Sequence, residues 1–318
     1  MSNEGRVRKT PGSVTELLAT ESNSQGGTMR NLLLGIGAAF CALAIGLGTA
    51  TPACAQSNQQ PPAPSQQSDQ QKPATGSQAP AQNPPAEAPK LNPQEEADYK
   101  AFSALKPDAA DDQIKLGEAF VQKYPQSRYD ESVYARLTQA YYQKQDIPKM
   151  TAAGDKALAL NPDDVSVLVQ LGFVAPHFSD PNDMDNERKM QKAEQELKHA
   201  LELLPTMSKP ANLADADFEK AKASASEQAH SGLGLVYFRE GKFDLSVDEF
   251  KLVTNVPNPD PTDLYVMGVD YQQLKRFSEA ADAYAKCASA SGPLQARCKQ
   301  RGDQAKQQAA AAPPAAKP

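Results

Sequence analysis

The stretch Ser231–Phe243, SGLGLVYFREGKF, sets three glycines, Gly232, Gly234 and Gly241, beside a lysine, Lys242. A phosphate-cradling loop needs four residues between its first glycine and the Gly-Lys pair, then Ser or Thr, at a strand-to-helix turn. Here six residues separate Gly234 from Gly241, Phe243 follows Lys242, and no strand pattern comes before. The Gly-Leu-Gly start also lacks the third glycine and the acidic residue of a dinucleotide site. Three histidines, His177, His199 and His230, show no H-x3-H spacing and no cysteine partner, so no metal site is expected. Asp180, Asp183, Asp185 and Glu187 crowd the stretch SDPNDMDNE, but the glycine that turns a calcium loop is missing. No Ser, Cys or Lys has a base and an orienting partner in sequence context. The reading at this level is a protein without catalytic residues, metal or cofactor.

Composition narrows the partners. The chain of 318 residues carries a net charge of −6 and a pI near 5.3, which would repel phosphate groups and argues against nucleic acid. Residues 29–55, MRNLLLGIGAAFCALAIGLGTATPACA, run from a basic start through an apolar stretch to Ala53-Cys54-Ala55. That is the three-part layout of an export signal with cleavage before Gln56; an uncleaved membrane anchor is the competing reading. Either one places the chain beyond residue 55 outside the cytoplasm, in the periplasm or cell envelope, with a membrane link only through this segment if it is uncleaved. The polar residues 1–28 before it are an extension or an unused upstream start. Residues 56–92 are dominated by Pro, Gln, Ser and Ala and cannot bury enough apolar surface to fold, so they predict a disordered linker, and residues 308–318 a disordered tail. The folded part is then 93–306.

Within it the apolar period is helical throughout and prolines fall between periodic segments, which predicts an all-α protein. Leu233, Gly234, Tyr237, Phe243, Ser246 and Phe250 return as Met267, Gly268, Tyr271, Phe277, Ala280 and Tyr284, each 34 residues on. This spacing resembles the tetratricopeptide repeat family, whose unit has leucine, a small residue and tyrosine in its first helix, alanine in its second and a closing proline. The resemblance implies a right-handed α-solenoid of helix-turn-helix repeats. It assigns a degenerate repeat to 94–127, repeats to 131–164, 165–205, 227–260 and 261–294, and a capping helix to 293–307. Gly234 is then a packing residue and Gly241 a helix stop. Cys287 and Cys298 fall at facing positions of the last repeat and the cap, where they are either a disulfide or two buried thiols.

The resemblance also implies a concave wall built from first helices. In repeat phase the positions left free for a protein or peptide partner are Gln139, Tyr142, Gln143, Phe173, His177, Leu235, Phe238, Arg239, Tyr265 and Gln272. The alternative for Phe173 and Leu235 is packing against neighbouring helices. The Lys and Asn of carboxylate-clamp members are absent, since Ala135 and Gln139, or Ser231 and Leu235, stand in their places. The function expected is a non-enzymatic scaffold or adaptor in the cell envelope. The alternatives are an envelope-assembly factor and a helical domain with a cryptic ligand-binding or hydrolytic site.

Overall fold

A computed structural model describes residues 92–211 and 213–311. The polar extension 1–28, the segment 29–55, the linker up to residue 91 and the tail from residue 312 lie outside the described residues. Eleven α-helices and no strand occur among the described residues: α1 Pro93–Ser103, α2 Ala110–Lys123, α3 Asp130–Gln143, α4 Ile147–Leu160, α5 Val165–Phe178, α6 Asn186–Leu203, α7 Asp215–Arg239, α8 Phe243–Thr254, α9 Pro261–Gln273, α10 Phe277–Ser289 and α11 Gln295–Ala311. Consecutive helices pack as pairs, α3 on α4, α5 on α6, α7 on α8 and α9 on α10, and α11 closes on α10. No described helix is long and apolar enough to cross a membrane.

Local chemistry explains where the helices begin. Asp146, Asp164 and Asp260 each cap a helix by accepting backbone N–H bonds from its first turn. Pro148 and Pro261 sit in that same turn, where the missing N–H costs nothing. The turns inside three pairs are built alike. Gln145, Gly241 and Lys275 take the left-handed conformation, at φ 59°, 73° and 61°. The next N–H then reaches back to the carbonyl of a tyrosine: Asp146 to Tyr141 at 3.0 Å, Lys242 to Tyr237 and Arg276 to Tyr271, both at 2.8 Å. These bonds satisfy carbonyls that the helix end would leave orphaned. Only Gly241 takes that conformation without a Cβ penalty, as its role of helix stop requires.

The other two positions are therefore places to gain stability. Lys275→Gly is expected to raise the urea midpoint by the equivalent of about 0.5–1 kcal/mol with an unchanged slope, and Gly241→Ala to lower it by about 1 kcal/mol. Equal midpoints for both variants and the parent would refute this reading of the turns.

The core runs along the array in overlapping clusters. α5 sends Leu171, Phe173 and Val174 into the cluster shared with α1 to α4, and Leu168 and Val169 into the one shared with α6 and α7. α7 does the same one step on, giving Leu233 and Tyr237 to that cluster and Leu235 and Phe238 to the last one. α7 is 25 residues long and enters its pair through a stretch beginning at Asp215. One feature departs from the sequence reading. α11 runs to Ala311, through residues expected to begin the disordered tail. Gln307 to Ala311 are good helix formers, and Pro313 is the first residue that forbids the helix.

Candidate functional site

Side chains of the first helix of each pair meet the neighbouring pairs, so whatever sets its distance from the second helix sets the face it presents. In α5, α7 and α9 a glycine sets it. A Cβ on Gly172 would stand 2.5 Å from Leu197, on Gly234 2.8 Å from the Phe250 ring, and on Gly268 2.7 Å from the Tyr284 ring. Gly234 and Gly268 are 34 residues apart, as are the rings they receive, and Leu233 with Met267 and Tyr237 with Tyr271 are buried at that same offset. The pair α7–α8 is thus repeated in α9–α10 at a 34-residue step, and α5–α6 closes on a glycine in the same way. The fold is an α-solenoid of stacked helix pairs, with the 34-residue step of a tetratricopeptide unit in its last two.

No protein-family model and no curated protein matches the sequence. Among solved structures, the chain is similar to a thermophilic TPR protein of Thermus thermophilus at 17% identity, over 67% of this chain and 99% of that one, with a TM-score of 0.40.

The solenoid sorts the ten expected wall positions into two groups. Gln139, Tyr142, Gln143, His177 and Gln272 keep part of their surface. Phe173, Leu235, Phe238, Arg239 and Tyr265 are buried, with Leu235 at 0% and Phe238 at 1% exposure, which corrects the expectation that their side chains are free. The cause is first-helix packing across pairs. Leu235 and Phe238 share one apolar cluster with Leu264, Tyr265 and Val269 of α9, so the next pair covers what the repeat phase alone leaves open. Phe173 lies in the cluster shared with the preceding pair, with its ring 4.4 Å from that of His177.

Arg239 is the clearest case. Its guanidinium crosses from the end of α7 to the end of α5, donating to the carbonyl of Pro176 and, at 3.1 Å, to that of Ser179. Those carbonyls lie past the last helical bond of α5, and a cation at a helix C-terminus is favoured there. His177 lies in the same corner, its Nδ1 2.7 Å from the Phe173 carbonyl. Burial first, and then the nearby Arg239 charge, push its imidazole down to about 4, so it is neutral at physiological pH.

What remains at the surface includes amides of four helices, met in two pairs. Gln170 Nε2 on α5 donates to Gln139 Oε1 on α3 at 2.8 Å. At the far end Gln308 Oε1 on α11 accepts from Gln272 Nε2 on α9 at 2.9 Å, and Gln272 Oε1 accepts from the Tyr284 hydroxyl at 2.8 Å. Gln143 donates to the Pro107 carbonyl, and burial raises the pKa of the half-covered Tyr142 phenol. Two polar atoms of the expected wall, Gln139 Nε2 and the Tyr265 hydroxyl, are buried without a hydrogen-bond partner among the described residues. Gln170 and Gln308 were not among the sequence candidates. Gln170 stands 31 residues after Gln139, one short-turn variant of the repeat step, and Gln308 fell in a stretch read by composition as tail.

Other ionisable groups pair with one another. His199 and His230 each meet a carboxylate, Asp163 and Glu249 respectively, both at 2.7 Å. In the loop before α6, Asp183 pairs with Lys189 and Asp185 with Arg188. No group of three or more His, Cys, Asp or Glu among the described residues is placed to hold a metal ion. Two acids of α9 are buried against the preceding pair. Asp263 Oδ1 accepts from Ser231 of α7 at 2.8 Å, and Asp270 Oδ2 lies 2.7 Å from Ser246 of α8, whose hydroxyl is also 2.8 Å from the Gly234 carbonyl. Burial above all pushes both carboxyls up to about 8.

Proposed function

We propose that this protein is a non-enzymatic scaffold of the cell envelope, and that the amide row across α3, α5, α9 and α11 takes an extended segment of a protein partner. Repeat solenoids use such extended surfaces for protein contacts. The observation that carries the reading is the two amide pairs. Glutamine amides at Gln139, Gln170, Gln272 and Gln308 carry both donors and acceptors, and Tyr142 supplies ring area. An extended peptide presents alternating N–H and C=O groups, which amides answer in either direction, and rings add contact area at little entropic cost. A chain with a net charge of −6 fits a protein partner better than an anionic polymer.

Placing a photo-crosslinking residue at Tyr142, at Gln272 and, on the outer helix α10, at Asp282 tests it in intact cells. Capture of one partner from the first two sites and not from Asp282 is expected, with Gln139→Ala and Gln170→Ala together lowering the yield at Tyr142 at least fivefold. Equal capture from all three sites would refute the row as the contact face.

A further inference from the structure

Helix α11 has little apolar surface holding it down. Of its 17 residues only Cys298, Gly302 and Ala305 are buried, with Leu294 just ahead of the helix. The helix it lies on, α10, brings Tyr284 and three alanines to its own core face. Gly302 rests against the Tyr284 Cβ, a flat contact in which even a methyl group would only touch. A 17-residue helix of Gln, Lys, Arg and Ala is marginal alone in water. Beyond its packing along α10, a covalent bond fastens it: Cys287 of α10 and Cys298 of α11 are joined, 5.8 Å apart at Cα, and both are fully buried. The same helix carries Gln308 to Gln272, so its position decides how the amide row ends.

We propose that α11 docks only when Cys287 and Cys298 are bridged, so that oxidation of this one pair completes the C-terminal end of the row. Forming the bridge takes two electrons and two protons from the two thiols. A disulfide-bearing carrier accepts them and leaves as a dithiol, and a dithiol reductant reverses the exchange. In the reduced chain α11 leaves α10, the face carrying Ala281 and Tyr284 is uncovered, and Gln272 loses Gln308. The chain thus holds its full row only where thiols are oxidised. The consequence for binding rests on the row being the contact face, whereas the docking of α11 does not.

Hydrogen exchange read by mass spectrometry on the full chain separates these statements. The bridged protein, the protein reduced in denaturant and refolded with reductant, and C287A/C298A are compared peptide by peptide. Amides of α11 are expected to lose about a hundredfold protection in the reduced protein and in the double variant, while α3 to α6 keep theirs. Unchanged α11 protection would overturn the proposal, as would an equal loss in α3 to α6 or free thiols at both positions before reduction. Cross-linking from Gln272 that persists once α11 is released would sink the link to binding and leave the docking intact.

Discussion

Arg239→Ala is expected to lower the melting temperature by about 6–12 °C, the shift that a loss of about 2–4 kcal/mol produces in a folded region of this size. Arg239 is 6% exposed, and among the described residues its guanidinium donates to two neutral carbonyls at the end of α5. Truncation therefore removes two charge-assisted hydrogen bonds and leaves both carbonyls buried where water reaches them poorly. Part of the loss is volume, which Arg239→Met separates, because it keeps the stem and removes only the donors. Methionine should recover less than half of the alanine deficit. A second readout is independent of stability: with the neighbouring positive charge gone, the His177 imidazole should titrate at a higher pH than in the parent. A methionine variant as stable as the parent, with His177 unmoved, would show that the arginine is filling space only.

That residue also marks the limit of what was legible in the chain. Leu233, Tyr237, Gly234 and Phe250 could be placed because the period returns them as Met267, Tyr271, Gly268 and Tyr284, and the contact of Gly234 with Phe250 lies inside one helix pair. For Leu235, Phe238 and Arg239 the contacts reach beyond their own pair. Their burial depends on how one pair stacks on the next, a contact between residues as far apart as Arg239 and Pro176, and periodicity says nothing about that angle. Gln308 was missed for a different reason. Composition marked its neighbourhood by the prolines after it, although the glutamine and alanine run before them is helix-forming and continues α11. The facing of Cys287 and Cys298 was open in the sequence as a bridge or two buried, unpaired thiols, and their joining follows from how closely α11 crosses α10.

The second large effect is on pH. In the unfolded chain Asp263 and Asp270 lose their protons near the ordinary value of 3.8, whereas in the solenoid burial holds the protons on until about 8. Between those limits the folded state binds more protons than the unfolded one, so stability is fully present below about 4 and is lost as pH rises through 8, by up to about 1.4 kcal/mol per pH unit for each group. The hydrogen bonding agrees with a protonated Asp270. Ser246 has a single hydroxyl proton but lies within bonding distance of both the Gly234 carbonyl and Asp270, and the carbonyl can only accept. The serine therefore donates to Gly234, and the carboxyl proton serves the bond between Asp270 and Ser246. For Asp263 the nearby charges of Asp260 and Glu227 add to the burial, and the bond from Ser231 opposes it. His177 acts in the other direction: unfolded it takes up a proton near 6.5, folded only at about 4, so it costs stability as pH falls between them. Urea titrations at pH 5, 6.5 and 8 should show stability falling across the series, most steeply in the upper half, where His177 no longer offsets the two acids. Asparagine reproduces the shape and the donor of a protonated aspartate without its titration. D263N/D270N should therefore meet the parent's profile near pH 4, already exceed it at pH 5 and exceed it by more at pH 8, with a flatter profile between them. If the double variant falls with pH as steeply as the parent, the two buried carboxyls are not the source of the dependence, and the junction between α7, α8 and α9 is held by packing alone.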